Sequence, residues 1–226
     1  MGSPSDLSQP SYHRLRERLA RARLYLLATT AVARGPLLEA VAAAIDGGVD
    51  AVQLREKEMP GGEFLELADE MCLLCAAKDV LFLVNDRVEA ARLVGADGVH
   101  LGQEDVPVSE ARRHLGRDAL IGVSTHDAAE LAGALADRAD CVGVGAVFAT
   151  ATKGRDVHVG GVADLAPLAA RAEARGVPAF AIGGITPQNV AEVVDAGFRR
   201  VAVCAGVLAA ADPRAAAEAL RRRLGG

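Results

Sequence analysis

Hydrophobic residues in this chain fall into short blocks at 24–28, 51–54, 80–84, 98–101, 120–123, 141–144, 179–182 and 200–203. Each block is bounded by Gly, Asp or Asn, and is apolar at consecutive positions rather than alternate ones. That pattern suits parallel strands covered on both faces by helices. Stretches of helical spacing separate the blocks, at 37–46, 62–77, 88–94, 108–115, 128–136, 162–175, 188–196 and 213–224. Asp127 is placed to cap one helix, Pro187 lies near the start of another, and Gly176 falls just past an end. Residues 1–10 read as a flexible leader and 11–23 as an additional helix whose many charges form a solvated face. Eight strand-then-helix units predict an α/β fold, a (βα)₈ TIM barrel with an extra N-terminal helix, occupying 11–226 as one domain. No G-x-G-x-x-G follows the first strand, which disfavours a dinucleotide-binding open sheet.

Composition narrows the function classes. The 226 residues are 51% hydrophobic and 24% charged, with a formal net charge of −5, so a packed core is expected and a broad nucleic-acid or membrane surface is not. Small-molecule substrates are the expected partners, and a homo-oligomer stays open. Cys72 and Cys75 form a C-x-x-C inside an apolar helical stretch, with no second pair or zinc-spaced histidines. Together with Cys141 and Cys204 they read as thiols in a reducing compartment. The polar start of the chain does not resemble a secretory signal, and no apolar run reaches membrane length. A cytoplasmic protein is the expectation.

In a barrel of this kind the active site lies at the C-terminal ends of the strands. Strand two is followed by Gln53-Leu-Arg55-Glu56-Lys57, strand three by Asn85-Asp86-Arg87, and strand four by His100-Leu-Gly102-Gln103-Glu104-Asp105. Strand five ends in Ser124-Thr-His126, strand six in a loop with Thr150, Thr152 and Lys153, strand seven in Gly183-Gly184, and strand eight in Cys204-Ala205-Gly206. So many polar clusters on one rim point to a functional mouth. Asp86 and Asp105 come from adjacent strand ends, and two carboxylates completed by water and phosphate oxygens suit Mg²⁺. Taken singly, each also fits a helix cap or turn. Arg55, Lys57 and Lys153 bring three positive charges to the mouth of an acidic protein, suiting a diphosphate, although Glu56 or Glu58 could instead pair with the first two. Gly183-Gly184 before a helix suits a second phosphate or simply a tight turn. His100, within an apolar run, reads as a supporting histidine, and His126 as a cap or ligand-orienting group.

The ordered series Gln53-Leu-Arg-Glu-Lys57, Val84-Asn-Asp-Arg87, Val99-His-Leu-Gly-Gln-Glu-Asp105, Gly122-Val-Ser-Thr-His126, Thr150-Ala-Thr-Lys153 and Ala181-Ile-Gly-Gly-Ile185 resembles the thiamine phosphate synthase family. That family joins 4-amino-2-methyl-5-hydroxymethylpyrimidine diphosphate to 4-methyl-5-(2-hydroxyethyl)thiazole phosphate, releasing diphosphate. The resemblance implies that Gln53, Arg55, Lys57, Asn85, Ser124 and Lys153 hold the pyrimidine diphosphate, with Lys153, Arg55 and Ser124 as the catalytic contacts. It implies Mg²⁺ on Asp86 and Asp105. The thiazole phosphate would meet Thr150, Thr152, Gly184 and the turn at Cys204 and Ala205.

Ala205 stands where the family often has Ser, implying a loss of about 1 kcal/mol in phosphate binding. The first strand lacks the acidic residue usual at its end, and Gly154-Arg-Asp-Val-His158 replaces a more Pro-rich segment. Three other readings remain: a thiazole tautomerase, which needs no paired aspartates; a catalytically silent barrel that binds thiamine precursors; and a phosphate-handling isomerase, for which no acid–base pair is evident.

Overall fold

The computed structural model describes residues 9–150 and 159–225. Eight parallel strands close into a barrel in sequence order: β1 (Leu24–Ala28), β2 (Ala51–Leu54), β3 (Leu81–Asn85), β4 (Gly98–Leu101), β5 (Leu120–Thr125), β6 (Cys141–Gly145), β7 (Ala179–Ile182) and β8 (Val201–Val203). Closure is made by β8 pairing with β1, in the register Tyr25 with Ala202. Around them run α2 (Leu37–Asp46), α3 (Gly61–Ala77), α4 (Val88–Val94), α5 (Val108–Leu115), α6 (Ala128–Ala136), α7 (Val162–Glu173), α8 (Val190–Asp195), α9 (Ala205–Leu208) and α10 (Pro213–Arg223), with α1 (Gln9–Arg21) ahead of the barrel.

The apolar runs are buried on both faces because alternate residues serve two cores. Leu24, Leu26, Ala28, Val52, Leu54, Phe82 and Val84 pack outward against the helices. Tyr25, Leu27, Ala51, Leu81, Leu83, Leu120, Cys141, Phe180 and Ala202 fill the interior. Each fully buried large side chain contributes about 1.5–3 kcal/mol. The interior also holds a polar layer. Gln53 donates from Nε2 to the Tyr25 hydroxyl at 3.0 Å, and His100 Nε2 lies 3.1 Å from Ser124 Oγ. The His100 ring fits because strand residues beside it are glycines: a Cβ on Gly122 would lie 2.4 Å from His100 Nδ1, and one on Gly143 3.7 Å from the ring.

The extra helix has a structural task. Leu19 and Ala22 join the interior cluster, and Tyr12 and Leu15 pack on it, so α1 and the residue just past it stopper the N-terminal end of the barrel. Buried Asp140 fastens it, accepting from the Tyr12 hydroxyl at 2.6 Å, from Arg112 at 2.7 Å and from the Ile121 amide at 2.9 Å. Arg16 lies 3.5 Å from the same carboxylate and Arg18 pairs with Asp79 at 3.2 Å. The expected solvated face is thus partly a docking face.

Several boundaries differ from the sequence expectation. Strand β3 runs one residue later, to Asn85; β5 continues to Thr125, and β6 to Gly145. These polar or glycine ends continue the ladder and line the barrel, which apolarity alone does not reveal. The first helix begins at Gln9, two residues early, and α8 is confined to Val190–Asp195. Short α9, built from Ala, Gly, Val and Leu without a side-chain cap, was not expected. Asp127 does cap α6, accepting from the amides of Ala129 and Glu130.

Candidate active site

The C-terminal rim has two sides. On the β2–β4 side, Asp86 and Asp105 face one another. Burial, followed by the hydrogen bond and charge of Asp105, raises the Asp86 carboxyl above its ordinary range, while Lys57 and Asn85 pull it down. Lys57 Nζ lies 3.6 Å from Asp86 Oδ2. Asp86 is held with φ of 58°, a left-handed conformation uncommon outside glycine, and its amide donates to the His100 carbonyl at 2.9 Å. Asp105 Oδ2 accepts from the Gly102 amide at 2.6 Å, fixing its loop. Among the described residues no third His, Cys, Asp or Glu joins them. Two facing carboxylates supply hard oxygen donors of the kind Mg²⁺ takes, its other positions being filled by water or ligand oxygens.

The loop after β2 is braced twice. The Glu56 carboxylate is not paired with Arg55 or Lys57; it turns to the loop after β1, accepting from the Thr29 hydroxyl at 3.4 Å and from the Thr30 amide. Arg87 reaches the carbonyls of Glu56, Lys57 and Met59. Neither contact was anticipated, since main-chain donors and acceptors carry no sequence signature. Between β4 and β5, Gln103 Nε2 donates to the Ser124 carbonyl at 2.6 Å.

On the β6–β8 side lies a partly open cavity of about 80 Å³. Arg55, His126, Thr150, Gly184, Cys204 and Ala205 are among its lining residues. Gly183 and Gly184 have φ of 107° and 62°. A Cβ on Gly183 would lie 2.6 Å from that of Ala146, and one on Gly184 2.5 Å from the Ala149 carbonyl oxygen. The glycine pair therefore admits, first of all, the loop after β6, whose Val147 and Phe148 amides donate to Ile182 and Gly183. Asn189 brackets the same turn, donating to the Gly184 carbonyl at 2.9 Å and accepting from the Thr186 amide at 2.8 Å.

His126 belongs to this cavity, although sequence reasoning left it outside the chemistry. Glu130 accepts from its main-chain amide at 2.7 Å and lies 2.8 Å from Nδ1. A carboxylate there holds the proton on Nδ1 and leaves Nε2 as the ring's other polar atom. The signal was present as a His and Glu four residues apart at a strand end.

Gln53, Asn85 and Ser124 sit on inward faces of their strands, Gln53 deepest and bonded to Tyr25. Arg55 lines the cavity from just past the end of β2, two residues beyond Gln53. Thr152 and Lys153 lie outside the described residues.

A family model for thiamine monophosphate synthase matches residues 24–207. The chain belongs to the thiamine monophosphate synthase family. The match opens at the first residue of β1 and closes within α9, so the stoppering helix α1 and the final helix α10 lie outside it.

Relatives within the family agree. A thiamine-phosphate synthase of Synechococcus sp. is 46% identical over 92% of this chain and 59% of its own length. One from Moorella thermoacetica is 44% identical over 88% of this chain and 93% of the relative. This chain thus spans about 59% of the length of the cyanobacterial relative, but nearly all of the other. A solved thiamine phosphate pyrophosphorylase from Pyrococcus furiosus superposes with a TM-score of 0.81 at 36% identity, covering 93% of this chain and 97% of that one.

Among the described residues no helix is long and apolar enough to cross a membrane. Cys72 and Cys75 carry no disulfide, and burial pushes the Cys75 thiol up to about 12. The pair reads as packing, not redox chemistry.

Proposed function

We propose that this chain couples 4-amino-2-methyl-5-hydroxymethylpyrimidine diphosphate to 4-methyl-5-(2-hydroxyethyl)thiazole phosphate, giving thiamine phosphate and diphosphate. The observation that carries the reading is the facing pair Asp86 and Asp105, with Lys57 at 3.6 Å from the first, on the same rim as a cavity lined by Arg55 and Thr150. One rim thus offers two regions for ligand, as a reaction between two phosphorylated substrates requires.

In this reading Gln53 and Asn85 hold the pyrimidine. Arg55, Lys57 and Lys153 stabilise charge that builds on the leaving diphosphate as its C–O bond breaks. Asp86 and Asp105 would hold Mg²⁺, which when bound neutralises diphosphate oxygens. The electron pair of the broken bond leaves with the diphosphate, and the aminopyrimidine delocalises the methylene cation left behind. The thiazole nitrogen then donates its lone pair to that carbon, so no protein nucleophile is needed. Ser124, supported by His100, faces the reacting region. Thr150, Thr152, Gly184 and the amides of the Cys204–Ala205 turn would receive the thiazole phosphate, with His126 beside it. Holding both substrates in line supplies much of the acceleration. Reduced thiols at Cys72 and Cys75 support a cytoplasmic location.

The test is to mix purified protein, both substrates and Mg²⁺, and to measure diphosphate and thiamine phosphate together. Stoichiometric formation of both, abolished by EDTA, is expected. Tight substrate binding without either product would replace the enzyme with a precursor-binding barrel.

A further inference from the structure

The loop between β2 and α3 delivers Lys57 to the rim, and the Lys57 side chain is 55% exposed. An ion pair as open as Lys57 with Asp86 is too weak to order a loop, because solvent screening and side-chain entropy consume most of its Coulomb energy. Something stronger must set the position of Lys57. Arg87 is the group placed to do so. Its Nη2 lies 3.2 Å from the Glu56 carbonyl, 3.3 Å from that of Lys57 and 2.7 Å from that of Met59. Its guanidinium carbon stands 4.2 Å from the centroid of the Phe64 ring, in the first turns of α3. Phe64 is itself buried in the outer core, so the guanidinium rests on an immobile surface. One planar cation therefore grips the loop at three carbonyls and the following helix through an aromatic face. Hydrogen bonds from a charged donor to carbonyls outweigh an exposed ion pair. Arg87 also follows Asp86 directly, so the turn that presents the carboxylate carries the clamp.

We propose that Arg87 is a positioning residue: its guanidinium holds the β2–α3 loop against the β3 turn and so fixes the Lys57 ammonium beside Asp86 in the anion-binding side of the rim. This rests on the diphosphate reading of that side. A lysine at position 87 cannot replace it, because an ammonium lacks the planar fork and the stacking face.

The experiment titrates the full chain with inorganic diphosphate and Mg²⁺ by calorimetry, comparing wild type with Arg87→Met and Arg87→Lys, each with and without Lys57→Met. The Kd is expected to rise about tenfold in Arg87→Met and to stay high in Arg87→Lys; with Lys57→Met already present, Arg87→Met adds less than about twofold. Losses that simply multiply would overturn the proposal, because a general structural role does not depend on Lys57. Wild-type affinity in Arg87→Met would overturn it as well. Arg87→Gln, which keeps donors to the carbonyls, serves if the Met variant does not fold; it should show the same dependence on Lys57, and independence counts against the clamp. Failure of the wild-type protein to bind Mg²⁺ and diphosphate would remove the diphosphate reading and this inference together. Normal wild-type binding with indifferent Arg87 variants removes this inference alone.

Discussion

His100 Nε2 lies 3.1 Å from Ser124 Oγ, joining the neighbouring strands β4 and β5 on the inner face of the barrel. The ring packs edge-on to Tyr25, with centroids 6.2 Å apart, and beneath it Tyr25 meets Phe180 at 5.4 Å. The serine hydroxyl at the rim is therefore oriented from below by a histidine that is itself held by the aromatic floor.

Gly122→Ala tests that arrangement. The new methyl would fall 2.4 Å from His100 Nδ1 and 3.0 Å from Cys141 Sγ, displacing a ring that has little room to move. A loss of about 1–3 kcal/mol in stability is expected by denaturant unfolding, together with slower turnover as Ser124 loses its support. An unchanged unfolding midpoint would mean that the ring does not occupy this space.

Removing either carboxylate of the facing pair should separate chemistry from folding. Asp86→Ala and Asp105→Ala are expected to lower kcat/KM by at least about 10²-fold while leaving far-UV circular dichroism unchanged. Near-normal turnover in either variant would refute the assignment of the pair to the metal.

Asp97 should make stability depend on pH. Its carboxyl accepts from the Phe82 amide at 2.9 Å, but burial raises it above the ordinary carboxylate range, with the Phe82 bond and Arg18 opposing and Asp79 adding to the rise. A carboxyl raised in the folded state contributes its stability at pH below the unfolded value and loses it as pH climbs through the folded one. Asp97→Asn keeps an acceptor for Phe82 and removes the charge. It should match wild type near pH 3.5 and exceed it in thermal midpoint above about pH 6. Equal midpoints at both pH values would show that Asp97 is not perturbed.

The stopper helix gives a graded pair of variants. Tyr12→Phe removes one hydrogen bond to Asp140 and should cost about 1 kcal/mol. Asp140→Ala leaves the buried Ile121 amide without its acceptor and takes from Arg112 its charged partner, and should cost about 3–5 kcal/mol. Denaturant unfolding reads both. Comparable small losses would mean that the carboxylate does not anchor α1.

The barrel was legible because parallel strands bury both faces, so each apolar run announces itself, and because residues such as Asp127 cap helices through side chains. The rim was legible as a set of strand ends. What escaped were relationships made by main-chain atoms. Glu56 looked like a partner for Arg55 or Lys57, yet it serves the Thr30 amide, and Arg87 spends its charge on carbonyls. Asn85 and Ser124 looked like loop residues because polarity hides their continuation of the ladder into the barrel. Gly183 and Gly184 were read for ligand approach, whereas the chain itself approaches them. His126 needed its partner Glu130 to be seen in space.

The fit of the His100 ring between Gly122 and Gly143 also constrains descent. A side chain at 122 collides with the ring, and a small residue at 100 leaves a void against two strands that have nothing to fill it. A change at either site alone carries a cost in stability that a matching change at the other would relieve. Positions 100 and 122 should therefore change as a couple or stay as they are across a lineage, so this barrel's polar interior is heritable as a unit.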